Sequence, residues 1–132
     1  MNIQDLTITT ADGYQLQASE FTPVTSNGIG LIINGATGVV RKYYQAFAHF
    51  LSEQGFTVLT YEFRGIGEST QAADNALVPS MMHWGQHDMD AVLGYFIDRH
   101  PELKIKGIGH SIGGQLLGIM PDNNRYDSFL NI

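Results

Sequence analysis

The sequence contains no cysteine, which removes both a disulfide framework and a thiolate zinc centre from consideration. Positive charge is scarce: seven lysines and arginines stand against thirteen aspartates and glutamates, for a net charge of −6. A field of that sign repels polyanions, so neither nucleic acid nor an anionic membrane is expected as a partner. No apolar run is long enough to cross a bilayer. The opening "MNIQDLTITTADG" has neither the basic nor the apolar region of a secretory signal, and a soluble, cytoplasmic protein is the expectation. Internal repeats, low-complexity tracts and linker-like stretches are also missing. What is present is globular: 43% hydrophobic and 15% charged residues over 132 positions, enough for one core.

The pattern along the chain is two strands followed by alternating strands and helices. "DLTITTADGYQLQASEF" alternates about Asp12-Gly13, a dipeptide suited to a hairpin turn. "GIGLIING" (residues 28–35) is a continuous apolar run ending in glycine, as in a strand buried on both faces. Tyr43, Tyr44, Phe47, Phe50 and Leu51 then recur at helical spacing, with Gly55 as a stop. "FTVLTYEF" (56–63) reads as the next strand. "RGIGESTQAADNALVPS" is a long polar, glycine-bearing connection of the kind that carries function. A helix is predicted from about Ser80 to His100, its apolar side formed by Met81, Trp84, Met89, Val92, Leu93, Phe96 and Ile97, with Pro101 at its exit. "LKIKGIGH" is a strand, "IGGQLLGIM" a helix stopped by Pro121, and "YDSFLNI" one more strand. Strands separated by helices predict an α/β protein with a mostly parallel sheet, an N-terminal antiparallel hairpin and flanking helices.

Gly109, Ser111 and Gly113 form G-x-S-x-G. Fifteen glycines make such a match unremarkable by composition, so its placement decides. It lies between a buried strand and a helix, where a sharp turn lifts a serine hydroxyl clear of the sheet at the positive end of the helix. The turn needs glycines because a β-carbon two residues before or after the serine would collide with neighbouring backbone. The plainer alternative is a strand-to-helix turn with Ser111 as N-cap; the placement favours the nucleophile.

"GHSIGG" resembles the nucleophile elbow of the α/β-hydrolases, particularly esterase- and lipase-like members. "LIINGATG" resembles the segment where many of them carry a His-Gly turn, with Asn34 here in place of the histidine. "YEFRGIGES" (61–69) resembles their Asp-x-Arg-Gly-x-Gly-x-Ser segment, with Glu62 in place of the aspartate. The resemblance implies a serine hydrolase acting on a small ester-like acyl substrate without a cofactor. Ser111 would be the nucleophile, and the backbone N–H groups of Ala36 and Ile112 the oxyanion donors. Thr37 reads as a loop residue or helix cap. Arg64 is expected to pair with a carboxylate, while Gly65 and Gly67 shape the loop and Glu68 has a structural role. His83 and His87, at i and i+4, lack a third metal ligand and read as a solvated helix face. His110 reads as packing, turned away from Ser111.

In this family the acid and then the histidine follow the serine along the chain. After Ser111 come Asp122 and Asp127 but no histidine; all five histidines precede it. Residues 1–132 therefore read as the N-terminal portion of a single α/β-hydrolase domain, ending at the strand after the nucleophile helix. An inactive relative serving as a binding or assembly module is the alternative. Ser111 should in either case be poorly activated. The terminal strand should leave an apolar edge exposed, with Phe129, Leu130 and Ile132 at a contact between copies, which predicts a homo-oligomer. A nucleotide-binding reading of "GIGHSIG" fails on spacing, because position 112 is isoleucine where G-x-G-x-x-G needs glycine.

Overall fold

The computed structural model describes residues 1–71 and 81–132. The residues on either side of Asp12-Gly13 fold back as expected. Strands β1 (Asn2–Thr9) and β2 (Gln15–Thr22) pair antiparallel with Ile8 opposite Leu16, and Gly13 takes the turn at φ +88°. Four more strands follow: β3 (Ile29–Asn34), β4 (Thr57–Tyr61), β5 (Lys104–Gly109) and β6 (Ser128–Asn131). They form one six-stranded sheet in the order β1-β2-β4-β3-β5-β6. The β3–β4, β3–β5 and β5–β6 pairs are parallel, and β2 joins β4 antiparallel. This is the α/β arrangement that the sequence predicts.

Both faces of the central strands are apolar because both are covered. Side chains alternate across a strand, so Leu31, Ile33 and Val58 meet helix α1 (Gln45–Glu53) through Ala48 and Leu51. On the other face Ile32 and Leu59 pack with Met89, Val92, Leu93 and Phe96. Burying a side chain of that kind contributes about 1.5–3 kcal/mol.

The helical regions depart from expectation in detail. The turn before α1, Arg41–Tyr44, is a 3-10 turn, and the inward stripe is Tyr44, Ala48, Leu51 and Ser52. Tyr43, Phe47 and Phe50, predicted on the apolar side, are exposed, Tyr43 by 70%. The i, i+4 spacing of Tyr44 and Ala48 sets the buried face, and a small residue at its centre brings the helix close to the sheet. The helix predicted from Ser80 is described from Met81 onward. It consists of a turn Met81–His83, a π-helical segment Trp84–Met89 and helix α2 (Asp90–Arg99). The wider π turn shifts the phase, so that Trp84, Gly85, Asp88 and Met89 are all buried while Met81 is exposed. After Ser111, helix α3 spans only Ile112–Gln115 and tightens into a 3-10 turn, Leu116–Ile119, ahead of Pro121.

Candidate active site

The register of β3 against β5 sets Asn34 opposite Gly109, so these parallel strands end level and their following loops lie side by side. Ser111, two residues past β5, has φ +58° and ψ −116°, and is the one non-glycine with positive φ among the described residues. Such a conformation costs on the order of 1–3 kcal/mol and persists only where its surroundings enforce it. Backbone bonds do so here. The Ser111 N–H donates to the Ile132 carbonyl (3.1 Å), and the Ser111 carbonyl accepts from Gly114 (3.0 Å) and Gln115 (3.2 Å). The His110 N–H donates to the Asn34 carbonyl (2.9 Å).

Ser111 is exposed and stands at the N-cap position of α3, but its hydroxyl makes no capping bond. The glycines on either side are sterically required. A β-carbon on Gly109 would lie 2.4 Å from the Gly114 Cα, and one on Gly113 would lie 2.1 Å from the Asn34 carbonyl oxygen. Both obstacles are backbone, which cannot rotate away.

Ile112 opens α3, so its N–H has no carbonyl within the helix to bond, as at any helix start. The Ala36 N–H, by contrast, donates to the Tyr44 hydroxyl (2.9 Å), which also pairs with His110 Nδ1 (2.8 Å). The two rings meet edge to face at 5.9 Å. Burial pushes the Tyr44 phenol up, keeping it protonated. Sequence reasoning assigned Tyr44 to a helix face and His110 to packing. Their partnership joins residues 66 positions apart, and no short motif announces it.

Asn34, where the resemblance has histidine, is fully buried. Its Nδ2 donates to the Ile108 carbonyl (3.3 Å) and the Tyr126 hydroxyl (3.4 Å), and its oxygen accepts from the Tyr61 hydroxyl. Burial raises both tyrosines well above the ordinary phenol range. Asn34 thus fixes the end of β3 beneath the loop that carries Ala36. Glu62 is also buried; it binds Arg41 Nη1 at 2.6 Å and accepts from the Glu68 N–H (3.0 Å). Arg64 pairs with carboxylates as expected. Its Nε and Nη2 reach Asp88 Oδ1 at 2.8 and 2.7 Å, its backbone N–H reaches Oδ2 at 2.9 Å, and Nη1 reaches Asp12 at 2.8 Å. The Arg64 guanidinium holds the Asp12 carboxyl well below the usual range, whereas burial pushes Asp88 up against the opposing pull of Arg64. This network ties the hairpin turn, the loop after β4 and the π segment together.

His83 and His87 have ring centroids 5.5 Å apart, and no group of three metal-ligating side chains gathers among the described residues. Cavities among the described residues lie away from the serine turn. One of about 440 Å³ is lined by Ser19, Phe21, Arg41 and Glu62, and one of about 530 Å³ by Val24, His49, Ser52 and Gln54. Neither borders Ser111. Residues 72–80 of the long polar connection lie outside the described residues.

A mostly parallel sheet with an antiparallel leading hairpin, and a serine turn between a central strand and a helix, define the α/β-hydrolase class of fold. Solved structures of that class superpose closely. A thermostable carboxyl esterase from Bacillus coagulans matches with a TM-score of 0.79 at 17% identity, over 99% of this chain and 44% of its own. The α/β hydrolase GrgF from Penicillium sp. sh18 matches at 0.83 and 21% identity, over 99% and 45%. XC6422 from Xanthomonas campestris, described as an α/β serine hydrolase without lid, matches at 0.70 and 21%, over 88% and 54%. The chain thus spans about half the length of these neighbours. No curated protein matches it. Residues 25–123 match the family "Serine aminopeptidase, S33", and the chain belongs to that family of hydrolases.

Proposed function

We propose that this chain carries the nucleophile-bearing half of a serine hydrolase that acts on an ester-like acyl substrate. The observation that carries the reading is Ser111 itself, held at positive φ with its hydroxyl exposed at the end of a central strand. Ser111 Oγ attacks the carbonyl carbon, and the carbonyl electron pair moves onto oxygen. Collapse of that tetrahedral species expels the alcohol and leaves an acyl-serine, which water then cleaves. The backbone N–H groups of Ile112 and Ala36 stabilise the oxyanion. The serine proton needs a base, and the acid and histidine of the triad come from residues outside these 132. Without that base the Ser111 hydroxyl is a weak nucleophile, and slow acylation of Ser111 is what the chain alone provides.

One observation favours a second reading, a catalytically silent binding or assembly module: the Ala36 N–H is already bonded to Tyr44. Hydrolysis of p-nitrophenyl acetate separates the two. The hydrolase reading expects slow turnover that vanishes in Ser111→Ala, and turnover equal in both chains refutes it.

A further inference from the structure

We infer that the Tyr44 hydroxyl, anchored by His110, is a plug seated on one oxyanion donor, and that an acyl substrate must displace it. The inference rests on the nucleophile reading of Ser111. An oxyanion donor is positioned when its nitrogen stands 2.7–3.1 Å from the anionic oxygen. The Tyr44 oxygen already occupies that distance from the Ala36 nitrogen, at 2.9 Å. The hydroxyl is held on both sides: it accepts from the Ala36 N–H and pairs with His110 Nδ1 at 2.8 Å. The ring has little freedom to withdraw. Tyr44 is 8% exposed, and its Cε2 packs so closely on Gly35 that a β-carbon there would lie 2.9 Å away. His110 is the residue immediately before Ser111, so the anchor of the plug and the nucleophile share one turn.

The competition has a definite direction. A neutral ester carbonyl offers the Ala36 N–H roughly the bond that the phenol oxygen already supplies, so displacement gains nothing in the ground state. An oxyanion forms a charge-assisted bond about twice as strong and wins. Tyr44 therefore weakens substrate binding more than it slows the chemical step. It acts through Ala36 as a positioning residue and takes no part in bond making. A net neutral hydrogen bond corresponds to roughly tenfold in an equilibrium constant.

The test is steady-state hydrolysis of p-nitrophenyl acetate by the 132-residue chain and by Tyr44→Phe, which keeps the ring and removes the hydroxyl. The expected result is a KM lower by about tenfold with kcat little changed. His110→Ala, which removes the anchor, should move KM the same way by a smaller factor. A merely structural hydroxyl predicts an unchanged or higher KM, and either outcome with Ser111-dependent turnover overturns the plug while leaving the nucleophile reading intact. Turnover independent of Ser111 overturns both. Amide hydrogen exchange at Ala36 in the unsubstituted chain is the second measurement and needs no variant. Protection of that amide is expected, and exchange at the rate of an open loop overturns the inference.

Discussion

Replacing Gly113 by alanine probes how tightly the serine turn is built against the end of β3. The added β-carbon would lie 2.1 Å from the Asn34 carbonyl oxygen, 2.6 Å from its carbon and 2.7 Å from the Gly35 oxygen. Ordinary contact begins at 3.4 Å, so the closest approach is more than an ångström too short. All three atoms are backbone, and no rotamer change relieves them. Overpacking of this kind costs about 1–3 kcal/mol, and rigid neighbours on every side put this site at the upper end. For a domain of this size that lowers Tm by roughly 10 °C. Relief requires α3 to move off the Asn34–Ala36 loop, which separates the Ile112 and Ala36 donors by a comparable distance. Misplacement by about 1 Å costs on the order of a hundredfold in rate. Gly118→Ala is the matched control, since a β-carbon there meets nothing within 4 Å and the backbone is not left-handed. Thermal unfolding followed by circular dichroism, with p-nitrophenyl acetate turnover, reads both effects. A Gly113→Ala chain that melts within 2 °C or so of Gly118→Ala refutes the packing argument.

Three further outcomes follow from the structure. Arg64→Met leaves the fully buried Asp88 carboxylate without its partner and should cost about 3–5 kcal/mol in urea unfolding at pH 7; a loss below about 1 kcal/mol would show that the network contributes little. Asp12 has its carboxyl depressed by the Arg64 hydrogen bond, so its contribution is present above the ordinary aspartate range near 3.8 and is lost as pH falls below it. The acid limb of the unfolding midpoint should therefore be shallower in Asp12→Asn, and identical limbs would contradict the assignment. Strand β6 is the outermost strand on its side, with Leu130 59% and Ile132 69% exposed, so the apparent mass in light scattering should rise with concentration. Lysine at both positions should abolish that rise, whereas a wild-type chain that stays monomeric throughout would show the edge to be inert.

Much of this fold is legible in the sequence because local chemistry and burial agree. Asp12-Gly13 marks the hairpin, "GLIIN" is apolar on both faces because helices cover both, and the glycines around Ser111 are dictated by backbone atoms 2.4 Å or less from where a side chain would begin. The α1 face was misread because aromatic residues at helical spacing outweigh one alanine by eye. Close approach to the sheet selects Ala48 instead and leaves Phe47 and Phe50 outside. The π segment is illegible for a related reason: its phase shift follows from burying Asp88 against Arg64, a partner 24 residues away. Ser111 could be singled out by its place between a strand and a helix, and Ile112 and Ala36 by the family resemblance. The Tyr44 hydroxyl on Ala36 could not, because nothing near either residue encodes the other.

The most direct test of the central claim is covalent. The chain would be incubated for hours with a fluorophosphonate probe and digested, and the adduct located by mass spectrometry. A single adduct on Ser111, absent from Ser111→Ala, is the predicted result. Labelling is expected to be slow, since the hydroxyl lacks its base, and an adduct on any other residue or labelling that persists in Ser111→Ala would contradict the claim.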